Sequence, residues 1–194
     1  MMDGAATQAA RGSAAAGRAR DVRVWDPLVR LSHWTVAAAV VLNGLIVDED
    51  AAAHLWIGYV AFGVLGLRLL WGVVGVGAAR LSAFPPSLSA AREHALGLLA
   101  GRARVHRSHN PLGALMVYNL WGTLALVSVT GIMMSSETFF GVEWVEEVHE
   151  ALANWLLLSA AMHVAGVALD QRLTGVNLIR AMVTGVKQLP ETTR

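Results

Sequence analysis

Four apolar stretches limit what this chain can become. They run from Pro27 to about Val47, from about Ala53 to Val74, from about Leu112 to Met134, and from about Val145 to Leu169. Each approximates the roughly 20 residues an α-helix needs to cross a hydrocarbon core. In hydrocarbon every backbone N–H and C=O must find its partner inside the protein, so such stretches fold as helices and gather into a bundle. Composition agrees: 55% of the 194 residues are hydrophobic and only 15% are charged, against roughly 25% charged in soluble domains. The expected fold is an all-α integral membrane protein, a four-transmembrane-helix bundle.

Charge gives the bundle an orientation. All fifteen Lys and Arg lie in the N-terminal segment through Arg30, at Arg68 near the end of the second stretch, in the long 75–111 loop, or after the fourth stretch. The other two loops carry none and hold Asp48, Glu49, Asp50, Glu137, Glu143, Glu146 and Glu147. Positive charge stays cytoplasmic. Both termini and the 75–111 loop are therefore expected in the cytoplasm of a multi-pass membrane protein, with the acidic loops in the periplasm or outside.

Residues 1–20 have no apolar run of the signal-peptide kind and read as a flexible, basic cytoplasmic tail. Residues 21–173 form the transmembrane domain. It opens with Asp26 as N-cap and Pro27 at the first helical position. Within the long loop, "PPSLSAAREHALGLLAG" reads as a short interfacial helix. Residues 174–194 form a cytoplasmic amphipathic segment, with "NLIRAMVTGVKQL" (177–189) as a surface helix. A net charge of +1 makes no case for nucleic acid as a partner. Membrane lipid is the first partner the composition implies.

Seven histidines are present. His94, His106 and His109 fall in the cytoplasmic loop and read as solvated polar residues or lipid-headgroup contacts. His33, His54, His149 and His163 sit within or at the ends of the apolar stretches, where an ionisable group is a functional candidate. His149 and His163 are fourteen residues apart. On a helix that is about 21 Å along the axis and only about 40° short of four full turns. The two rings face one side at different depths. The first stretch runs outward, so His33 lies at the inner level with His163. The second returns, so His54 lies at the outer level with His149.

Two imidazoles at one depth, on different helices of an apolar bundle, suit a haem iron with two axial ligands. Zinc would want about four ligands at one point. There are no cysteines, which excludes disulfides, thiolate metal sites, iron–sulfur clusters and thioether-attached haem. Two stacked b-type haems fit, one per leaflet.

Several stretches carry a resemblance. "VRVWDPLVRLSHW", "HLWIGYVAFGVLGLRLLWG", "HNPLGALMVYNLWGTLALVSVTGIMM" and "VEEVHEALANWLLLSAAMHVAGV" together resemble the bacterial cytochrome b561 family, which includes the b-type cytochrome subunits of nickel–iron hydrogenases. The resemblance covers most of residues 22–170 and leaves out the tail and the segment after about Thr174. It implies that His33, His54, His149 and His163 correspond to four haem ligands. It also implies transmembrane electron transfer with quinone as an exchange partner.

Around these positions the sequence leaves alternatives open. Arg68 lies fourteen residues after His54, on the same face near the inner haem. It either meets a haem propionate or snorkels to headgroups; Arg30 is a second candidate for the propionate. Gly44 and Gly58 allow close approach of a macrocycle, although helix packing through small residues is the commoner reason for them. Trp34, Trp56, Trp71, Trp121, Trp144 and Trp155 fit an aromatic belt. His94, His109 and Asn110 are polar candidates for a quinone at the inner side.

Three functions compete. The chain is a self-contained quinol-linked oxidoreductase with a small oxidant or a c-type cytochrome as partner. It is the membrane-anchor cytochrome b subunit of a larger hydrogenase or dehydrogenase complex. Or it is a structural or transport protein whose histidines only pack. Enzyme status and a homodimer stay open at this level. The acidic outer loops suit a basic soluble partner, but topology alone also explains them.

Overall fold

The computed structural model describes residues 20–102, 105–106 and 109–189. The expected N-terminal tail therefore lies outside the described residues, except for Arg20. Five helices fill most of the rest: α1 (Pro27–Leu45), α2 (Ala52–Val74), α3 (Leu88–Leu99), α4 (Pro111–Met134) and α5 (Glu143–Thr174). All except α3 are long and apolar enough to cross a membrane. They occupy the four expected stretches, and α3 occupies the expected interfacial helix.

Local chemistry accounts for the helix ends. Asp26 Oδ1 accepts from Val29 N at 2.9 Å ahead of Pro27. Asn110 Oδ1 accepts from Gly113 N at 2.7 Å ahead of Pro111. Each cap satisfies one of the amides a helix start leaves unpaired. The fourth span is longer than its apolar stretch. Glu143 and Glu146 lie in its first turn and Arg172 in its last, matching the helix dipole at both ends. Gly175, at φ +70°, ends it in a left-handed turn.

Short connections at 46–51 and 135–142 make two antiparallel hairpins, α1–α2 and α4–α5. The hairpins join through α2 against α4, while α1 and α5 touch only sparsely. Midway along the bundle Ala39, Ala61, Leu65, Leu124 and Leu156 form one buried layer drawn from all four spans. Most of the remaining apolar surface faces outward: only 11–22% of each span's most apolar window is buried within the protein. That distribution suits helices whose outer solvent is lipid.

Arg20, Leu189 and the described part of the 75–110 segment lie at one end of the bundle, the terminal end; the two short hairpin loops lie at the far end. Strands β1 (Arg20–Arg23) and β2 (Val186–Leu189) pair antiparallel, Arg20 opposite Leu189 and Arg23 opposite Val186. A seven-residue helix, α6 (Leu178–Thr184), precedes β2. Val24, Trp25, Val29, Ala79 and Ala181 form a second buried cluster beneath this clasp. Asp26 serves here as well, its Oδ2 accepting from Trp71 Nε1 at 3.0 Å.

The clasp corrects the expectation of one surface helix over 177–189. Gly185, at φ +83°, stops the helix and turns the chain. Its carbonyl accepts from Val24 N at 2.9 Å and Trp25 N at 3.2 Å. Lys187 and Ala181 are buried. A four-residue strand is too short to show alternation, and its partner lies at the other end of the chain.

Gly185→Ala should open this clasp. An added Cβ would lie 2.6 Å from the Trp25 carbonyl oxygen, on a backbone conformation that L-residues disfavour. The expected cost is about 1–3 kcal/mol, read as a lower melting temperature by tryptophan fluorescence in detergent. Gly63→Ala, where an added Cβ meets nothing within 4 Å, is the control and should cost nothing.

Candidate functional site

The bundle brings the four span histidines together in two pairs. His33 on α1 faces His163 on α5, ring centroids 6.4 Å apart and planes inclined by 55°. His54, in the first turn of α2, faces His149 on α5 at 6.5 Å and 62°. The first pair lies toward the terminal end and the second toward the far end. All four rings are half-buried. Nδ1 of His33 and Nδ1 of His54 are buried with no hydrogen-bond partner.

These separations fit a metal between the rings. A metal–imidazole bond is about 2.0–2.1 Å, so two rings on opposite sides of one ion have centroids roughly 6 Å apart. Among the described residues no three His, Cys, Asp or Glu side chains converge on a point. Two protein ligands per site suit an iron whose other positions are held by a macrocycle. The far-end pair borders a cavity. It is mainly apolar and is lined by Asn43, Gly44, His54, Gly58, Gly131 and His149 among others.

Several residues shape this far-end site that sequence reasoning did not single out. Thr130 Oγ1 lies 2.8 Å from His149 Nδ1. A Cβ on Gly131 would come within 3.2 Å of His149 Cε1, so glycine makes space for the ring. Asn43 Nδ2 donates to the His54 carbonyl at 2.8 Å and ties α1 to the start of α2. Gly44 faces Leu157, whose Cδ2 an added Cβ would meet at 2.6 Å. Its role as a packing glycine between α1 and α5 is plain.

Arg68 is only 5% exposed, so it does not snorkel. Its Nη2 donates to the Ala79 carbonyl at 3.1 Å, and the guanidinium stands over the Trp121 ring at 5.0 Å. Its Nη1 is buried without a partner. Arg30 turns toward the C-terminal segment, Nη1 donating to the Val183 carbonyl at 2.6 Å; its Nε is buried and unpartnered. Trp71, Trp121 and Trp155 have specific contacts beyond an aromatic belt. Trp155 Nε1 donates to Asn119 Oδ1 at 3.1 Å.

One of the loop histidines departs from expectation. His109 is not solvated: its ring sits 5.0 Å from Trp25 and 4.6 Å from Phe84, and its Nδ1 is buried without a partner. Those neighbours are remote in sequence, which is why the loop context misled. Asn110 caps α4 and also donates to Asp170 Oδ2 at 2.7 Å. His94, on α3, and His106 bring their rings to 5.1 Å. Lys187 Nζ donates to the His106 carbonyl at 2.6 Å, joining the long loop to the clasp.

A four-span helical bundle with imidazoles facing one another across its interior defines a membrane cytochrome of the b type. The profile of the family described as prokaryotic cytochrome b561 matches residues 24–185. The chain belongs to that family, and its function is transmembrane electron transfer by b-type haem. The match runs past Thr174 to the end of α6, further than the resemblance read from the sequence. No curated protein and no solved structure gives a significant match to the chain.

His109 generates a pH dependence. Burial, and secondarily the Arg68 charge, lower its pKa from 6.5 to about 4. Between those values the unfolded chain holds a proton at this ring that the folded protein does not. Stability is therefore full above about pH 6.5 and falls as the pH drops toward 4, by at most about 3 kcal/mol. His109→Phe, which fills the same aromatic slot, should flatten that part of the unfolding profile. An unchanged slope would clear His109 as its source.

Proposed function

We propose that the chain binds two b-type haems, one toward each end of the bundle, and passes electrons across the membrane between the quinone pool and a redox partner. The observation that carries this reading is a repetition: two histidine pairs on three helices have ring separations of 6.4 and 6.5 Å. His33 and His163 hold one iron, and His54 and His149 hold the other. When bound, each haem would supply one-electron chemistry, with the two imidazoles of its pair as the residues that would hold it.

The chain's own residues provide the surroundings. α5 presents one ligand to each site, about 21 Å apart by helical rise. The Leu65, Leu124 and Leu156 layer lies between the two sites and keeps water out of the bundle centre. Arg68 offers its unpartnered Nη1 to a propionate of the terminal-end haem. Arg30 offers Nε to the same group, with its other contact committed to Val183.

The charge asymmetry supports cytoplasmic termini. On that orientation His94, His109 and Asn110 mark the cytoplasmic side for a quinone. The acidic far-end loops suit a basic soluble partner such as a c-type cytochrome; a dehydrogenase subunit is the alternative donor or acceptor.

Pyridine haemochrome analysis of the purified full chain should give two haems b per chain. His163→Ala should remove one and leave a spectrum from the other, and His149→Ala should remove the complementary one. One haem in the wild type, or loss of both haems in every single-histidine variant, would overturn the two-site reading.

A further inference from the structure

The two members of the far-end pair are held differently. Nδ1 of His54 has no hydrogen-bond partner, whereas Nδ1 of His149 lies 2.8 Å from Thr130 Oγ1. Thr130 is buried on α4, at 7% exposure. Its hydroxyl has one proton and three neighbours. Two of them, the carbonyls of Leu126 and Val127, lie 3.0 Å away and can only accept. A threonine inside a helix commonly gives its proton to a carbonyl three or four residues earlier.

With its proton committed to α4, Oγ1 can meet the imidazole only as an acceptor. The proton of that contact then belongs to His149 Nδ1. This leaves Nε2 as the nitrogen with a free lone pair, the form a metal requires. Gly131, the next residue, leaves room for the ring against α4.

We propose that Thr130 is a positioning residue for the far-end haem: it fixes the tautomer and orientation of His149 and, by accepting a hydrogen bond from Nδ1, lowers that haem's reduction potential. This rests on His54 and His149 being the axial pair. A ring whose second nitrogen donates a hydrogen bond is a more basic ligand, and a more basic ligand favours the oxidised iron. The hydroxyl's own bond to the helix carbonyl polarises it as an acceptor and strengthens the effect.

The test is a redox titration of the full-length protein, with optical and electron paramagnetic resonance detection, on wild type, Thr130→Val and Thr130→Ser. Valine keeps the shape and removes the hydroxyl; serine keeps the hydroxyl. His54→Ala, which retains only the terminal-end haem, identifies which midpoint belongs to which site. In Thr130→Val the far-end midpoint should shift upward, its ferric low-spin signal should move, and the other midpoint should stay. Thr130→Ser should match wild type.

Two retained haems with unchanged midpoints in Thr130→Val would overturn the inference while leaving the ligand pairs intact. Loss of the far-end haem in valine but not in serine supports it, and loss in both assigns Thr130 to packing and overturns it. A wild type without two haems would overturn the pairing itself, and the haem count reveals that before any midpoint is compared.

Discussion

An imidazole inside an apolar bundle needs partners for both ring nitrogens, because an unpaired polar group costs far more there than in water. Much of the architecture follows from meeting that need twice along a single helix. α5 carries His149 and His163, and the other two histidines come from the separate helices α1 and α2. The register between α5 and its neighbours therefore decides whether each pair meets. Polar contacts set that register with α4. Thr130 meets His149, and Asn119 Nδ2 donates to the fully buried Ser159 Oγ at 2.8 Å. Eleven residues back along α4 correspond to ten forward along α5, the relation of two antiparallel helices in steady contact. Side chains such as Asn and Ser supply this kind of specificity where apolar packing against lipid-like neighbours cannot.

The terminal end is closed by a different device. There the N-terminal segment, the long middle loop and the C-terminal helix α6 converge on one apolar cluster. Asp26 is central to it: one oxygen caps α1 and the other holds Trp71 near the end of α2. Arg68 lies beneath this cover, between the Ala79 carbonyl and the face of Trp121. A guanidinium so enclosed needs an anionic or acceptor partner for each remaining N–H, and the carbonyl accounts for only part of it.

The sequence revealed different layers of this protein unequally. Four spans and an interfacial helix were legible because length and hydropathy are properties of single segments. The pairing of His33 with His163 and His54 with His149 was legible because the helical repeat and the alternation of span direction turn spacing into depth. Thr130 was not, since threonine in an apolar helix carries no compositional signal. Only the α4–α5 register, counted outward from the 135–142 loop, could have placed it near His149. The clasp was missed for a related reason. β1 and β2 are four residues each and lie at opposite ends of the chain, so nothing local announces either. His109 was misread because its aromatic neighbours, Trp25 and Phe84, come from elsewhere in the chain.

Nearly identical ring separations in unlike settings are the final consequence of this layout. The far-end pair opens into an apolar cavity with no Lys or Arg in the adjoining loops. The terminal-end pair lies toward the end that holds Arg68, Arg30 and the buried Lys187, under a cover built from three parts of the chain. Field and solvent access tune a bound redox group as directly as its ligands do. Two histidine pairs that share one helix are thus set in unequal surroundings by what the chain places around them.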